Sequence, residues 1–148
     1  MTLAEALPAA GWVLIDRDGP RVYQDHAGRR FPTFEREGVR LAFSVHRYLS
    51  VHRGLVSVYE GDAGEAVVQA VLVDHHLRRQ GKARAALLEL GTIADRLSLT
   101  LYIEPAPLEK GALSRTDLVR LYQGCSYRIP SGESGLVMVR YPATIRSS

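Results

Sequence analysis

The residues able to do chemistry gather in one stretch, Val71 to Arg84, which reads Val-Leu-Val-Asp-His-His-Leu-Arg-Arg-Gln-Gly-Lys-Ala-Arg. Arg78, Gly81 and Ala83 stand at the spacing R-x-x-G-x-A, just where an Ala/Leu-rich helix begins. A glycine-bearing turn that opens a helix points several backbone N–H groups into one small volume. The helix dipole adds partial positive charge there, and the pair makes an anion site suited to phosphate. Small residues let a pyrophosphate approach the main chain closely. Arg78 and Arg79 are available as charge support. An ordinary tight strand-to-helix connection is the plainer alternative.

The elements that must hold this turn are readable around it. Val67 to Val73 is an apolar run of the kind that forms a strand buried on both faces. Residues 83–97 repeat apolar residues at helical spacing through Ala83, Leu87, Leu90, Ala94 and Leu97, with Glu89, Thr92, Asp95 and Arg96 opposite. Leu99 to Ile103 is a strand, ended by Glu104-Pro105. Strand, helix and strand at this length predict a parallel pair with a crossover. Ser114-Arg-Thr-Asp117 is a capping box that starts a helix to about Gln123, with Leu118, Leu121 and Tyr122 inward and Gly124 at its end.

Upstream, Val39 to Val45 and Gly54 to Glu60 alternate, so residues 38–73 predict three antiparallel strands in a meander. Residues 1–37 read as a β-rich, turn-rich segment, with strands at Trp12–Ile15 and Arg21–Gln24. A helix before Pro8 has only weak support. Tyr127–Ile129 and Gly135–Tyr141 predict a last hairpin, and residues 142–148 a tail. The expectation is one α/β (α+β) domain over residues 1–148, with a mixed, mostly antiparallel sheet around the strand–helix–strand core.

The Val73–Ala83 stretch resembles the acyl-CoA motif of the GNAT N-acetyltransferase superfamily, roughly V-x-P-E-x-R-x-x-G-x-G/A. Val73, Arg78, Gly81 and Ala83 match without a gap, while His75 and His76 stand where Pro and Glu are usual. Leu121-Tyr-Gln-Gly-Cys-Ser-Tyr127 is similar to the family's L-Y-x-x-x-G-F element, with Ser126 in place of the glycine. The order of elements from about residue 38 to 141 also resembles that fold.

The resemblance implies acetyl-CoA as co-substrate and transfer of its acetyl group to an amine. It implies that Leu72 and Val73, with Val71, lend main-chain groups to the pantetheine arm. Arg78, Arg79, Gln80, Gly81, Lys82, Ala83 and Arg84 would cradle the pyrophosphate. Tyr122 would protonate the leaving thiolate, for which a phenol of pKa ~10 is a sensible acid. The base that takes the amine proton is open by position among Glu104, His75 and His76. The amine acceptor is a small molecule, a protein or a transfer RNA, and a homodimer stays open. Two rival readings follow from the departures: a GNAT-like module that binds without turnover, and a modifier of nucleic acid or charged transfer RNA. The length and divergent start are similar to small acyltransferase-like proteins of bacteria and their phages. Residues 12–34 are expected to cover the acceptor side, with an open, charged rim suggested by Arg29–Arg30.

Composition narrows the rest. Of 148 residues, 46% are hydrophobic and 24% charged, as in an ordinary globular domain, and the net charge of +3 favours an anionic ligand. No apolar run approaches the ~20 residues of a bilayer span, and no secretory signal opens the chain. Cys125 is the only cysteine, which fits a reducing cytoplasm and a core filler. His26, His46 and His52 have no ligand company, so no metal site is expected.

Overall fold

The computed structural model describes residues 2–44, 64–108, 113–129 and 137–143, and the backbone alone of 49–50 and 55–57. Its helices are α1 (Leu3–Ala9), α2 (Lys82–Leu97) and α3 (Arg115–Gln123). Its strands are β1 (Val13–Leu14), β2 (Thr33–Arg36), β3 (Val39–Ser44), β4 (Leu49–Ser50), β5 (Leu55–Ser57), β6 (Glu65–Val73), β7 (Thr100–Ile103) and β8 (Met138–Arg140). Six strands make one sheet in the order β1-β2-β3-β6-β7-β8. Every neighbouring pair in it is antiparallel except β6 and β7, which α2 joins as a parallel crossover. The mixed, mostly antiparallel sheet expected from the pattern of elements is thus the one observed.

Three expectations are corrected. The meander over 38–73 does not form: β3 pairs directly with β6, while β4 and β5 pair with each other as a separate two-stranded sheet. Apolar pairing decides this, since Val39↔Val73, Leu41↔Val71 and Ala42↔Ala70 zip a long ladder that two-residue β4 cannot match. In the first segment, residues 21–24 are not a strand; only Gln24 forms an isolated bridge, to Arg30. The partner of β3 is instead β2, joined to it by Glu37 and Gly38, both at positive φ, the geometry of a tight hairpin turn. Finally, residues 3–9 are helical, with Pro8 inside the helix. The Thr2-x-x-Glu5 capping box closes reciprocally, and Leu3, Ala6 and Leu7 bury one face. That box and spacing were readable signals. For the last hairpin, Arg128 bridges to Val139, and Pro130 to Glu133 lie outside the described residues.

The main core lies between the sheet and the helices. Leu7, Trp12, Phe34, Leu41, Leu87, Leu90, Ile93, Leu101, Tyr122 and Met138 belong to one continuous buried cluster. A smaller cluster of Phe31, Ala42, Ala70 and Leu72, with Tyr23 packed on it, covers the second face of the sheet. On α2 the expected stripe holds at Leu87, Leu90 and Ala94, and widens to Ala86, Gly91 and Ile93.

Two residues expected on the solvent side of α2 are ion-pair anchors. Glu89 accepts from both Arg36 Nη atoms and from Trp12 Nε1, and Arg36 Nη1 also donates to the Ala10 carbonyl at 2.8 Å. Asp95 takes both Nη groups of buried Arg140, at 2.9 and 3.1 Å, and the Ala143 N–H. Gly91 makes room for that pair: a Cβ there would lie 2.8 Å from the Arg140 guanidinium. Glycine to alanine inside a helix ordinarily stabilises by up to about 1 kcal/mol. Here crowding a buried, paired cation should reverse the sign. Gly91→Ala is expected to lower the unfolding free energy by about 1–3 kcal/mol, read from urea denaturation.

Candidate functional site

The site begins where two strands part. Parallel pairing of β6 with β7 runs from Glu65↔Thr100 to Val68↔Ile103 and stops. β7 then turns away through Glu104-Pro105, whereas β6 continues to Val73 against β3 alone. The stop coincides with a β-bulge. β3 residues Ala42 and Phe43 face Ala70 and Val68, so Gln69 is the extra residue on β6. A bulge bends its strand and resets side-chain alternation. Accordingly Ala66, Val68, Val71 and Val73 all pack toward the main core, and Ala70 and Leu72 toward the second face.

The parting leaves main-chain groups without a ladder partner. The Asp74 N–H donates to the Gly38 carbonyl on the β3 side, at 2.9 Å. Alternation in an antiparallel ladder then turns Val71 and Val73 the other way, into the gap left by β7. Leu72, paired with Arg40, turns its main-chain groups to β3 and its side chain to the second face. Of the three strand residues expected to offer backbone contacts, Val71 and Val73 therefore face the gap and Leu72 does not. Arg78 folds back so that its Nε donates to the Val73 carbonyl at 3.2 Å.

Beyond Val73 the chain makes a 3-10 turn, His75–Leu77, and then the loop that opens α2. Leu77 seats this turn against the β2–β3 hairpin, where any side chain on Gly38 would collide with it. Arg79 and Gly81 both take left-handed backbone, at φ 66° and 74°. Gly81 is the N-cap of α2, and no side chain caps the helix. The first turn holds no acid; it carries Lys82 and Arg84 instead. Cations beside the positive end of a helix dipole cost about 0.3–1 kcal/mol each. Arg79, Gln80 and Arg84 are exposed, and Lys82 and Ala83 half-buried. A Cβ on Gly81 would meet nothing within 4 Å, so open volume lies before the turn. The result is a bare, cationic helix N-terminus with room for an anion.

Tyr122 sits on the last turn of α3, whose N-cap Ser114 accepts the Asp117 N–H as the capping box predicts. Its ring lies 5.9 Å from that of Tyr127, in the same cluster against which Val71 and Val73 pack. Burial, with a smaller contribution from Cys125, pushes the Tyr122 phenol up to about 12, so it stays protonated at neutral pH. Its hydroxyl makes no hydrogen bond to any described residue, whereas the Tyr127 hydroxyl is sealed in protein without one. Cys125 is buried and its thiol is pushed up by burial, which suits a core filler and not a nucleophile.

Glu104 stands on the other bank of the gap. Desolvation raises its carboxyl above the ordinary carboxylate range, partly offset by Arg115. It lies near enough to Tyr23 for its charge to help raise that phenol. His75 and His76 are exposed on the 3-10 turn. His46 and His52 lie outside the described residues, among which no group of His, Cys, Asp and Glu could hold a metal ion. No helix among the described residues is long and apolar enough to cross a membrane.

Sequence reasoning wrongly included Leu72 among the gap-facing residues, because nothing in the residue string marks the bulge at Gln69 or where a parallel partner stops. It also missed Arg40 and Tyr23, which line a cavity of about 300 Å³ beside Leu72. Their partners are brought in from distant parts of the chain.

Known proteins share this architecture at low sequence identity. The anti-CRISPR protein AcrVA5 superposes with a TM-score of 0.52, at 17% identity, over 72% of this chain and 94% of its own. A tyrosine-to-phenylalanine variant of the toxin AtaT, bound to the C-terminus of the antitoxin AtaR, gives 0.51 at 12% identity, over 91% and 93% of the two chains. The same variant with AtaR and acetyl-CoA gives 0.52 at 10% identity, over 92% and 95%. No protein-family model matches the sequence, and no curated protein matches it. The fold is that of the GNAT acetyltransferases, as the R-x-x-G-x-A stretch led one to expect, in a divergent form.

Glu104 supplies a stability test with a defined sign. A carboxyl whose folded pKa lies above its unfolded value is penalised in the folded state wherever it is ionised. The penalty is complete above the raised pKa and absent below the ordinary one. Glu104→Gln should therefore raise the melting temperature at neutral pH. The gain should vanish as pH falls through the raised pKa, in parallel calorimetric scans of the two proteins.

Proposed function

We propose that the protein is an acyl-CoA-dependent N-acyltransferase that moves an acetyl group from acetyl-CoA to an amine. The observation that carries the reading is the run from an unpaired half-strand into a bare, cationic helix N-terminus. An extended amide-bearing arm can add to the free edge of β6 as a strand adds to a sheet. Its pyrophosphate would then lie before Gly81, where main-chain N–H groups, Lys82, Arg79 and Arg84 offset its charge. Arg78 would clamp the strand end through the Val73 carbonyl. Acetyl-CoA supplies an activated thioester.

In this reading the amine nitrogen bonds to the acyl carbon and the carbon–sulfur bond breaks. A main-chain N–H of Val71 or Val73 faces the gap and would polarise the thioester carbonyl. Glu104 takes the amine proton, and its raised pKa brings it closer to that task than an exposed carboxylate. Tyr122 gives its phenol proton to the leaving sulfur. Burial holds that proton in place at neutral pH, with the phenol near 12. Passing it to a thiolate of ordinary pKa ~8.5 is uphill, so the step needs the developing thiolate to be desolvated in the same buried site, and bulk solvent must then restore the proton.

Two measurements test this. Millimolar acetyl-CoA should raise the melting temperature by mass action, and Gly81→Val should abolish the rise. That variant places a β-branched side chain at φ 74°, in the volume the pyrophosphate needs. A wild type that shows no thermal shift would overturn the reading. Tyr122→Phe keeps the ring and removes the proton. Turnover should fall by roughly 10- to 1,000-fold while the acetyl-CoA thermal shift persists. Unchanged turnover would return Tyr122 to the core, and a thermal shift without any turnover in the wild type would favour a binding module.

A further inference from the structure

The segment between β1 and β2 forms an open cavity against the second face of the sheet, beside Leu72 near the end of β6. Pro20, Tyr23, Arg30, Arg40, Leu72 and Leu108 line it, and its volume is about 300 Å³. The sequence dictates its shape. Ala42 and Ala70 pair across β3 and β6 and leave the sheet face shallow, while Phe31 and Tyr23 stack above it at 6.0 Å. Arg40 and Leu72 stand directly opposite each other in the same ladder, so both side chains reach this face at the strand end.

The charges around the cavity are unevenly matched. Arg21 pairs with Glu35 and Asp74, and Arg29 with Asp25. Arg40 and Arg30 face no carboxylate among the described residues. Among the described residues Arg40 Nη1 donates to the Arg21 carbonyl at 2.9 Å, and its buried Nε has no partner. Arg30 Nη1 donates to the carbonyls of Arg17 and Gly19, at 3.1 and 3.2 Å. A guanidinium presents five donors in a rigid fork, and a buried one left unpaired is costly. On the β7 side, the Glu104 charge adds to burial and Asp25 in raising the Tyr23 phenol. The cavity thus has one half-buried arginine, Arg40, with an unmatched buried donor, and exposed Arg30 at its rim.

We propose that this cavity receives the acceptor, and that the acceptor is a small amine or chain end carrying an anionic group, carboxylate or phosphate, a few bonds from its nitrogen. This rests on the acyltransferase reading and adds the acceptor's class. The anion takes the fork of Arg40, with Arg30 beside it, and the amine turns to Glu104 and the gap between β6 and β7. A volume of about 300 Å³ sits at the small end of ligand pockets, which suits one residue-sized group and not a folded surface. Of the Arg29–Arg30 pair expected on an open rim, Arg29 is held by Asp25, while Arg30 is exposed and lines this open cavity.

The test compares three amines of similar size: ethanolamine, phosphoethanolamine and glycine. Acetylation is followed by mass spectrometry, and binding by the side-chain Nε–H resonances of the arginines in ¹⁵N-labelled protein. An acid-bearing amine should have a kcat/KM about 10- to 100-fold above that of ethanolamine, and should shift the Arg40 resonance where ethanolamine does not. Phosphoethanolamine against glycine separates phosphate from carboxylate. Arg40→Gln should collapse the preference while leaving the acetyl-CoA thermal shift in place; Arg40→Lys should restore part of it. Equal use of all three amines, or a preference that survives Arg40→Gln, overturns the proposal. An Arg40 shift without an acetyl-CoA thermal shift would instead remove the acyltransferase reading and keep the anion site. An acetyl-CoA shift with a silent Arg40 would do the reverse.

Discussion

Everything at this site depends on β6 outlasting its parallel neighbour. Had β7 continued beside β6 past Ile103, Val71 and Val73 would have spent their main-chain groups on a ladder. The bulge at Gln69 and the Glu104-Pro105 exit end that pairing from both sides at one level. An edge strand inside a sheet is normally a liability, because free N–H and C=O groups recruit stray strands. Here it is narrow and flanked by α3 and by the segment from β1 to β2. The free edge is short, running only from the bulge to Val73.

Local rules are obeyed away from this opening and broken beside it. α1 has a reciprocal capping box and α3 has a serine cap with an acid in its first turn. α2, the longest helix described, has no side-chain cap, no acid in its first turn, cations in its place, and two left-handed residues leading into it. Glu104 is desolvated, and Arg40 keeps a buried donor unmatched. Each feature costs stability that the large core offsets. Departures of this kind collect where a ligand, and not the protein, supplies the missing partner.

The sequence showed the helix-and-strand order, the α2 stripe, the α3 cap and the glycine turn, because each rests on near neighbours. Residues three or four apart on a helix, or a cap and the N–H it accepts, need no knowledge of the rest of the chain. What escaped reading was set by distant pairing. Whether β3 meets β4 or β6 depends on which ladder buries more apolar surface, and the string holds both candidates. The turn into α2 was visible at Gly81, but the open edge at Val71 depends on where β7 stops. Likewise Arg40 looked like one more polar residue in an alternating strand, until Leu72 opposite and Tyr23 above gave it a cavity. Residues 3–9 are a different kind of miss, since Thr2 and Glu5 stood at capping-box spacing and Pro8 outweighed them.

The two flanks of α2 also set an order of assembly. Glu89 holds Trp12 and Arg36 from one direction, and Asp95 holds Arg140 and Ala143 from the other. The Trp12 contact spans 77 residues of chain. On a ribosome, α1 and Trp12 therefore emerge long before the surface that buries them exists, and they must wait unburied while β6 and α2 are made. The strand–helix–strand unit pairs residues closer in the chain, such as Glu65 with Thr100, than the Trp12–Glu89 contact does.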